Sequence, residues 1–153
     1  MTDNNDLIDL YSKRILALAA NIALTERLDN PQSTVKKISP MCGSMVTVDI
    51  CINENKVVNY GHEVKACALG QAAASVISKT IIGSDVDQIL TAREQLINML
   101  TKDGSSPNKP FEELDVLQPA KDFKNRHSSI LLTFDAIADA INEINMIEAK
   151  KTF

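Results

Sequence analysis

At 153 residues, the chain has the length of one domain with one core, and 44% hydrophobic against 24% charged residues is ordinary globular composition. A net charge of −4, with no basic stripe or aromatic platform, argues against nucleic acid as a partner. No apolar run approaches the length of a membrane-spanning helix. The opening, "MTDNNDLIDL", is acidic where a secretory signal needs positive charge and a transit peptide avoids acids, so a cytoplasmic protein without membrane association is expected.

Residues 4–28 carry Leu7, Tyr11, Ile15, Leu18, Ile22 and Leu24 at helical spacing and predict a long first helix, ended by "DNPQS" at Pro31. A β region follows. "STVKKIS" predicts a weak strand, "MVTVDICI" a strong β-branched one, "NENK" a turn and "VVNYGHEVKA" the returning strand. In the middle strand Val46, Val48, Ile50 and Ile52 alternate with Thr47, Asp49 and Cys51. One apolar and one polar face is the pattern of an antiparallel sheet covered on one side. Residues 67–82 predict a helix of small residues closed by Gly83, with Leu69, Ala73, Val76, Thr80 and Ile81 inward. Ser84, followed by Asp87, reads as the N-cap of a helix to about Lys102. "DGSSPNKP" is a loop, and "FEELDVLQPAKDFKN" an irregular crossing interrupted by Pro119. A last helix begins near His127 and lines up Ile130, Phe134, Ile137, Ile141 and Ile144. No linker or repeat divides the chain, so residues 1–153 are expected to form one α+β domain: a three-stranded antiparallel sheet with helices packed on one face.

The three cysteines, Cys42, Cys51 and Cys67, are too few and odd in number for a disulfide framework, and point to thiol or metal chemistry. The commoner role of a single free cysteine is that of a small buried hydrophobe. Pro40 and Gly43 bracket Cys42 in "SPMCGSM", which places it on a tight turn before the strong strand. Cys67 stands where strand meets helix, and free N–H groups with the helix dipole favour a thiolate there. Close helix-on-sheet packing accounts for most of the small residues in "CALGQAAA", but not for a cysteine at their head. His127 shares a face with Ile130, Leu131 and Phe134. A lone histidine at a helix start is more often a hydrogen-bonded structural residue than a ligand. Two cysteines and a histidine at the ends of separate rigid elements would nonetheless suit zinc or iron. There is no CxxC or HxxxH. Cys51, mid-strand on the polar face, reads as a bystander, and His62 as a surface residue.

Four separated stretches, in order, carry a family likeness. "YSKRILALAANI" is similar to an opening tyrosine-containing helix, and "PMCGSMVTVDICI" to a Cys-Gly-Asp loop running into a strand. "VKACALGQAAASVISKTIIG" is similar to a second-cysteine helix, and "NRHSSILLTFDAIADAI" to a His-Cys-Ser/Ala-Ile/Leu-Leu helix. Together they resemble the U-type iron–sulfur cluster scaffold family, proteins like IscU and the NifU N-terminal domain, over nearly the whole chain. The resemblance implies a SufE/NifU-like fold and a non-enzymatic site of three cysteines plus a histidine or aspartate. That site would hold zinc or a nascent iron–sulfur cluster, [2Fe–2S] in type. Implied partners are a cysteine desulfurase and recipient apo iron–sulfur proteins, with a transient homodimer as one way to complete the site.

On the matching positions Cys42 is the first ligand cysteine, Cys67 the second and His127 the histidine. Two positions depart. Ser44 stands in place of the aspartate and Ser128 in place of the third cysteine; both are carried as candidate metal ligands, although a hydroxyl keeps its proton near neutral pH and binds iron or zinc poorly. "QPAKDFKNRH" lacks the Leu-Pro-Pro-Val-Lys segment by which some relatives recruit a chaperone, so that partner is not expected. The function expected is a scaffold or carrier that assembles a cluster and passes it on. The alternative is a persulfide acceptor for a cysteine desulfurase without stable cluster binding.

Overall fold

The computed structural model describes residues 11–151. Its elements are helix α1 (Lys13–Ala20), strands β1 (Ser33–Ile38), β2 (Met45–Asn53) and β3 (Lys56–Lys65), and helices α2 (Ala68–Thr80) and α3 (Val86–Thr101). A 3-10 stretch over Glu112–Asp122 and Lys124–Arg126 leads into the long helix α4 (His127–Lys151). The strands form one antiparallel sheet in the order β1-β2-β3. Val46, Val48 and Ile50 of β2 share a buried cluster with Val76 and Ile77 of α2 and with Phe134 and Ile137 of α4. The fold is therefore the α+β class expected, with the helices on the apolar face. Among the described residues no helix is long and apolar enough to cross a membrane.

Helix α2 is the packing centre. It meets α1, α4 and β3, and Ala72, Ala73, Ala74, Val76 and Ile77 are all fully buried. A helix enclosed on several sides can take neighbours that close only if its side chains are small, which is what the alanine run provides. On α4, Ile130, Phe134, Ile137, Ile141 and Ile144 are buried as their spacing predicts. Asp85, not Ser84, caps α3: its N–H donates to Gln88 Oε1 at 2.8 Å, while the Ser84 hydroxyl donates back to the Thr80 carbonyl at 2.8 Å. The acceptor three residues on from the cap is thus Gln88 rather than Asp87, one residue later than the sequence pattern suggests.

The first helix is shorter than its apolar spacing predicts. Residues 4–10 of that prediction lie outside the described residues, and the helix ends at Ala20 rather than near residue 28. Asn21 stops it, its side-chain amide donating to the Ala17 carbonyl (2.7 Å) and its N–H to the Leu18 carbonyl (3.1 Å). Residues 21–32 then run as a belt around the free edge of β3. The Leu24 carbonyl accepts the His62 backbone N–H (3.0 Å), and the Ala23 carbonyl accepts from His62 Nε2 (2.8 Å). Past the edge, the Leu28 N–H (2.9 Å) and the Arg27 guanidinium (2.6 and 3.1 Å) donate to Asp49 on the other face of the sheet. Gly61 makes the crossing possible, since a Cβ there would lie 2.2 Å from the Glu26 carbonyl oxygen.

The belt corrects two sequence expectations. Asp49 does not face solvent: it is fully buried and also accepts from the Thr34 hydroxyl at 2.6 Å. Burial pushes its carboxyl up, but the hydrogen bonds from Arg27, Thr34 and Leu28 outweigh that and hold it below the usual carboxylate range. His62 is not a surface residue either; it too is fully buried. Its Nε2 carries the proton given to Ala23, which leaves Nδ1 to face the Tyr60 hydroxyl at 3.4 Å. Alternation tells which way a strand residue points but not what later covers it. Here residues 21–32, read as helix and loop, are what does the covering.

Burial pushes His62 below the usual histidine range, partly offset by its bond to Ala23. Its folded pKa is therefore lower than its unfolded one of about 6.5, and its stabilising contribution is complete above that value and lost as pH falls through it. Urea unfolding followed by circular dichroism should show stability declining below pH about 6.5, by at most about 1.4 kcal/mol per pH unit from this residue. His62→Gln should remove that slope. An unchanged slope in the variant would show that His62 is not its source.

Candidate metal centre

Two of the predicted ligands meet at one corner. Cys42 lies on the loop between β1 and β2, which closes on itself through the Ser39 N–H to the Ser44 carbonyl (2.7 Å) and the Gly43 N–H to the Ser39 carbonyl (2.9 Å). Gly43 takes a positive φ of 71°, which only glycine adopts without strain. The turn expected from Pro40 and Gly43 is thus present, and it leaves Cys42 exposed. Cys67 is the N-cap residue of α2, half-buried. Its carbonyl accepts the Gln71 N–H at 2.9 Å, the first turn of the helix.

Hydroxyls join the two sulfurs. Cys67 Sγ lies 3.4 Å from Ser129 Oγ, Ser129 Oγ lies 3.0 Å from Ser44 Oγ, and Ser44 Oγ lies 3.1 Å from Cys42 Sγ. Ser44 and Ser129 are both buried. A side branch runs from Cys42 Sγ to Ser39 Oγ at 3.5 Å and on to Ser128 Oγ at 2.6 Å. Hydrogen bonds from Ser39 and Ser44, the Ser44 backbone N–H and Ser129 lower the Cys42 thiol to about 7, against a small opposing effect of burial.

Ser129 is held there by the helix packing. A Cβ on Gly70 of α2 would lie 2.5 Å from Ser129 Oγ and 3.1 Å from the Ser129 carbonyl oxygen. Glycine at position 70 therefore lets the first turn of α4 come against the first turn of α2, and so brings Ser129 to Cys67.

His127 opens α4, as expected, but its Nε2 is turned to the Ala120 (2.9 Å) and Lys121 (3.1 Å) carbonyls of the 3-10 stretch. Both partners are acceptors, so Nε2 carries the proton and Nδ1 keeps the lone pair. Among the described residues no three histidine, cysteine, aspartate or glutamate side chains are gathered closely enough to hold a metal ion. Cys51 stays away from the corner, its Sγ 3.7 Å from the Asn30 carbonyl oxygen. Ser39 and Ser129 were not among the sequence candidates. The available signals were slight: Ser39 and Ser44 are the two ends of the cysteine loop, and Ser129 is a polar residue in the otherwise apolar start of α4.

The NifU-like N-terminal domain family model matches residues 10–129. A crystal structure of the N-terminal part of a nitrogen-fixing NifU-like protein from Brucella abortus is 40% identical, with a TM-score of 0.91 over 92% of this chain and 98% of that one. The iron–sulfur cluster assembly scaffold protein IscU of Thermotoga maritima is 22% identical over 136 residues, 89% of this chain and 95% of its own. A SUF-system protein from Fervidobacterium islandicum AW-1 shares the fold at a TM-score of 0.79 and 20% identity, covering 87% of this chain and 97% of its own. With the family model spanning most of its length, the chain belongs to the NifU-like N-terminal domain family.

Proposed function

We propose that this chain is a cytoplasmic scaffold or carrier on which an iron–sulfur cluster, [2Fe–2S] in type, is assembled and then passed to recipient apo proteins. The observation that carries the reading is the convergence of the Cys42 and Cys67 sulfurs, from a closed loop and a helix start, on one pair of buried hydroxyls. Thiolate sulfur is the donor that iron–sulfur clusters and zinc take up. His127 suits a third ligand through Nδ1, because a ligating histidine commonly gives its other ring N–H to a backbone carbonyl. Ser44 and Ser128 stand beside this set as weak oxygen donors. Cluster sulfide, water, a partner or a second copy would fill the remaining positions, an open arrangement that favours release of the cargo. Iron is the working metal and zinc its substitute in the isolated protein.

Anaerobic incubation with iron, cysteine and a cysteine desulfurase should give sulfur-to-iron charge-transfer absorption, and Cys42→Ala or Cys67→Ala should abolish it. A colourless wild-type protein without bound iron would overturn the reading. Metal binding releases thiol protons, so affinity should rise with pH up to about 7, where Cys42 is half ionised, and more slowly above it.

A second reading, a persulfide acceptor without stable cluster binding, is favoured by the exposure of Cys42 on its loop with Ile38 and Met41 exposed beside it as an apolar rim for a desulfurase. The Cys42 thiolate would attack the terminal sulfur of the desulfurase persulfide, forming a new S–S bond at Cys42 and releasing the desulfurase cysteine as its thiolate. Mass spectrometry after incubation with desulfurase and cysteine, without iron, should then show a gain of one sulfur atom on Cys42. A sulfur adduct with no iron uptake favours this reading over the first, and no adduct removes it.

A further inference from the structure

We propose that Ser129, rather than Ser128, is the hydroxyl that positions the two thiols around their metal cargo, an inference that rests on the scaffold reading above. Ser128 occupies the position at which the family resemblance places a third cysteine, yet its hydroxyl is directed to Ser39 at 2.6 Å. Ser129 is different. Its Oγ lies 3.4 Å from Cys67 Sγ and 3.0 Å from Ser44 Oγ, which in turn lies 3.1 Å from Cys42 Sγ. It is buried, and the close approach of Gly70 leaves its hydroxyl little room to turn elsewhere.

A serine hydroxyl that keeps its proton is a poor metal ligand but a good donor to a metal-bound thiolate. Such a donor fixes the direction of the sulfur lone pairs and draws electron density from the sulfur. Ser129 reaches Cys67 directly and the Cys42 loop through Ser44, so one side chain ties the start of α2 to that loop. It is a positioning residue for both thiols.

The probe is Co2+ added anaerobically to the full chain, with affinity and band energy read from the thiolate-to-cobalt charge-transfer absorption. Ser129→Ala should raise the Co2+ dissociation constant about tenfold, the low end for loss of an outer-shell partner, and move the band to lower energy as the sulfur loses its hydrogen bond. Ser128→Ala, whose hydroxyl reaches Cys42 only through Ser39, should change both by less than Ser129→Ala does. The band shift distinguishes positioning from general destabilisation, and Ser44→Ala, which cuts the same link on the Cys42 side, should reproduce it should Ser129→Ala not fold. Unchanged affinity and band in Ser129→Ala, or a larger loss in Ser128→Ala, would overturn the inference. A wild-type chain that binds Co2+ without any sulfur band would overturn the scaffold reading itself.

Discussion

The site depends on one approach: the start of α4 against the start of α2. Glycine at position 70 permits it, since any side chain there would occupy the place of the Ser129 hydroxyl. The approach carries Ser129 to Cys67, and the Ser129–Ser44 contact then ties in the Cys42 loop. Two sulfurs that are 25 positions apart in the chain are thus brought to one corner by helix packing and three hydrogen bonds between small polar groups. The alanines of α2 serve the same end, because a bulkier helix would hold α1, α4 and the sheet further apart.

The corner combines stiffness with openness. Ser39, Ser44 and Ser129 are buried while Cys42 is exposed, so the hydroxyls are fixed by their surroundings and the thiol they serve can reach solvent or a partner. Cys67, half-buried at the helix start, is the more protected of the pair. Away from the cysteine corner, the belt over residues 21–32 bonds the β3 edge at His62 and covers Asp49 and His62.

Much of this could be read from the chain. The strands followed from β-branched alternation, α4 from its isoleucine and phenylalanine spacing, and the turn at Cys42 from Pro40 and Gly43. The belt could not be read, because nothing local to residues 21–32 reveals that Asp49, some twenty residues on, will draw Arg27 and Leu28 across the sheet edge. The same limit hid the burial of His62. At the site, Cys42 and Cys67 were legible as thiols at the ends of rigid elements, and their meeting is a fact of tertiary packing. The serine link is not legible, because the family likeness marks Ser44 and Ser128 only as replacements for lost ligands, whereas Ser44 is a hydrogen-bond partner of Cys42 and the partner of Cys67 is the neighbouring Ser129. His127 is legible as a helix-start histidine and candidate ligand, and its Nε2 bonds to the Ala120 and Lys121 carbonyls, which nothing local reveals, leave Nδ1 for the ligand role proposed above.

The scaffold reading requires Cys42 and Cys67 to bind one ion together. X-ray absorption at the zinc edge of the zinc-loaded protein counts the sulfur neighbours of the metal without regard to activity. Two sulfur neighbours at about 2.3 Å are expected, with lighter nitrogen or oxygen donors completing the shell. A single sulfur neighbour, or none, would contradict it.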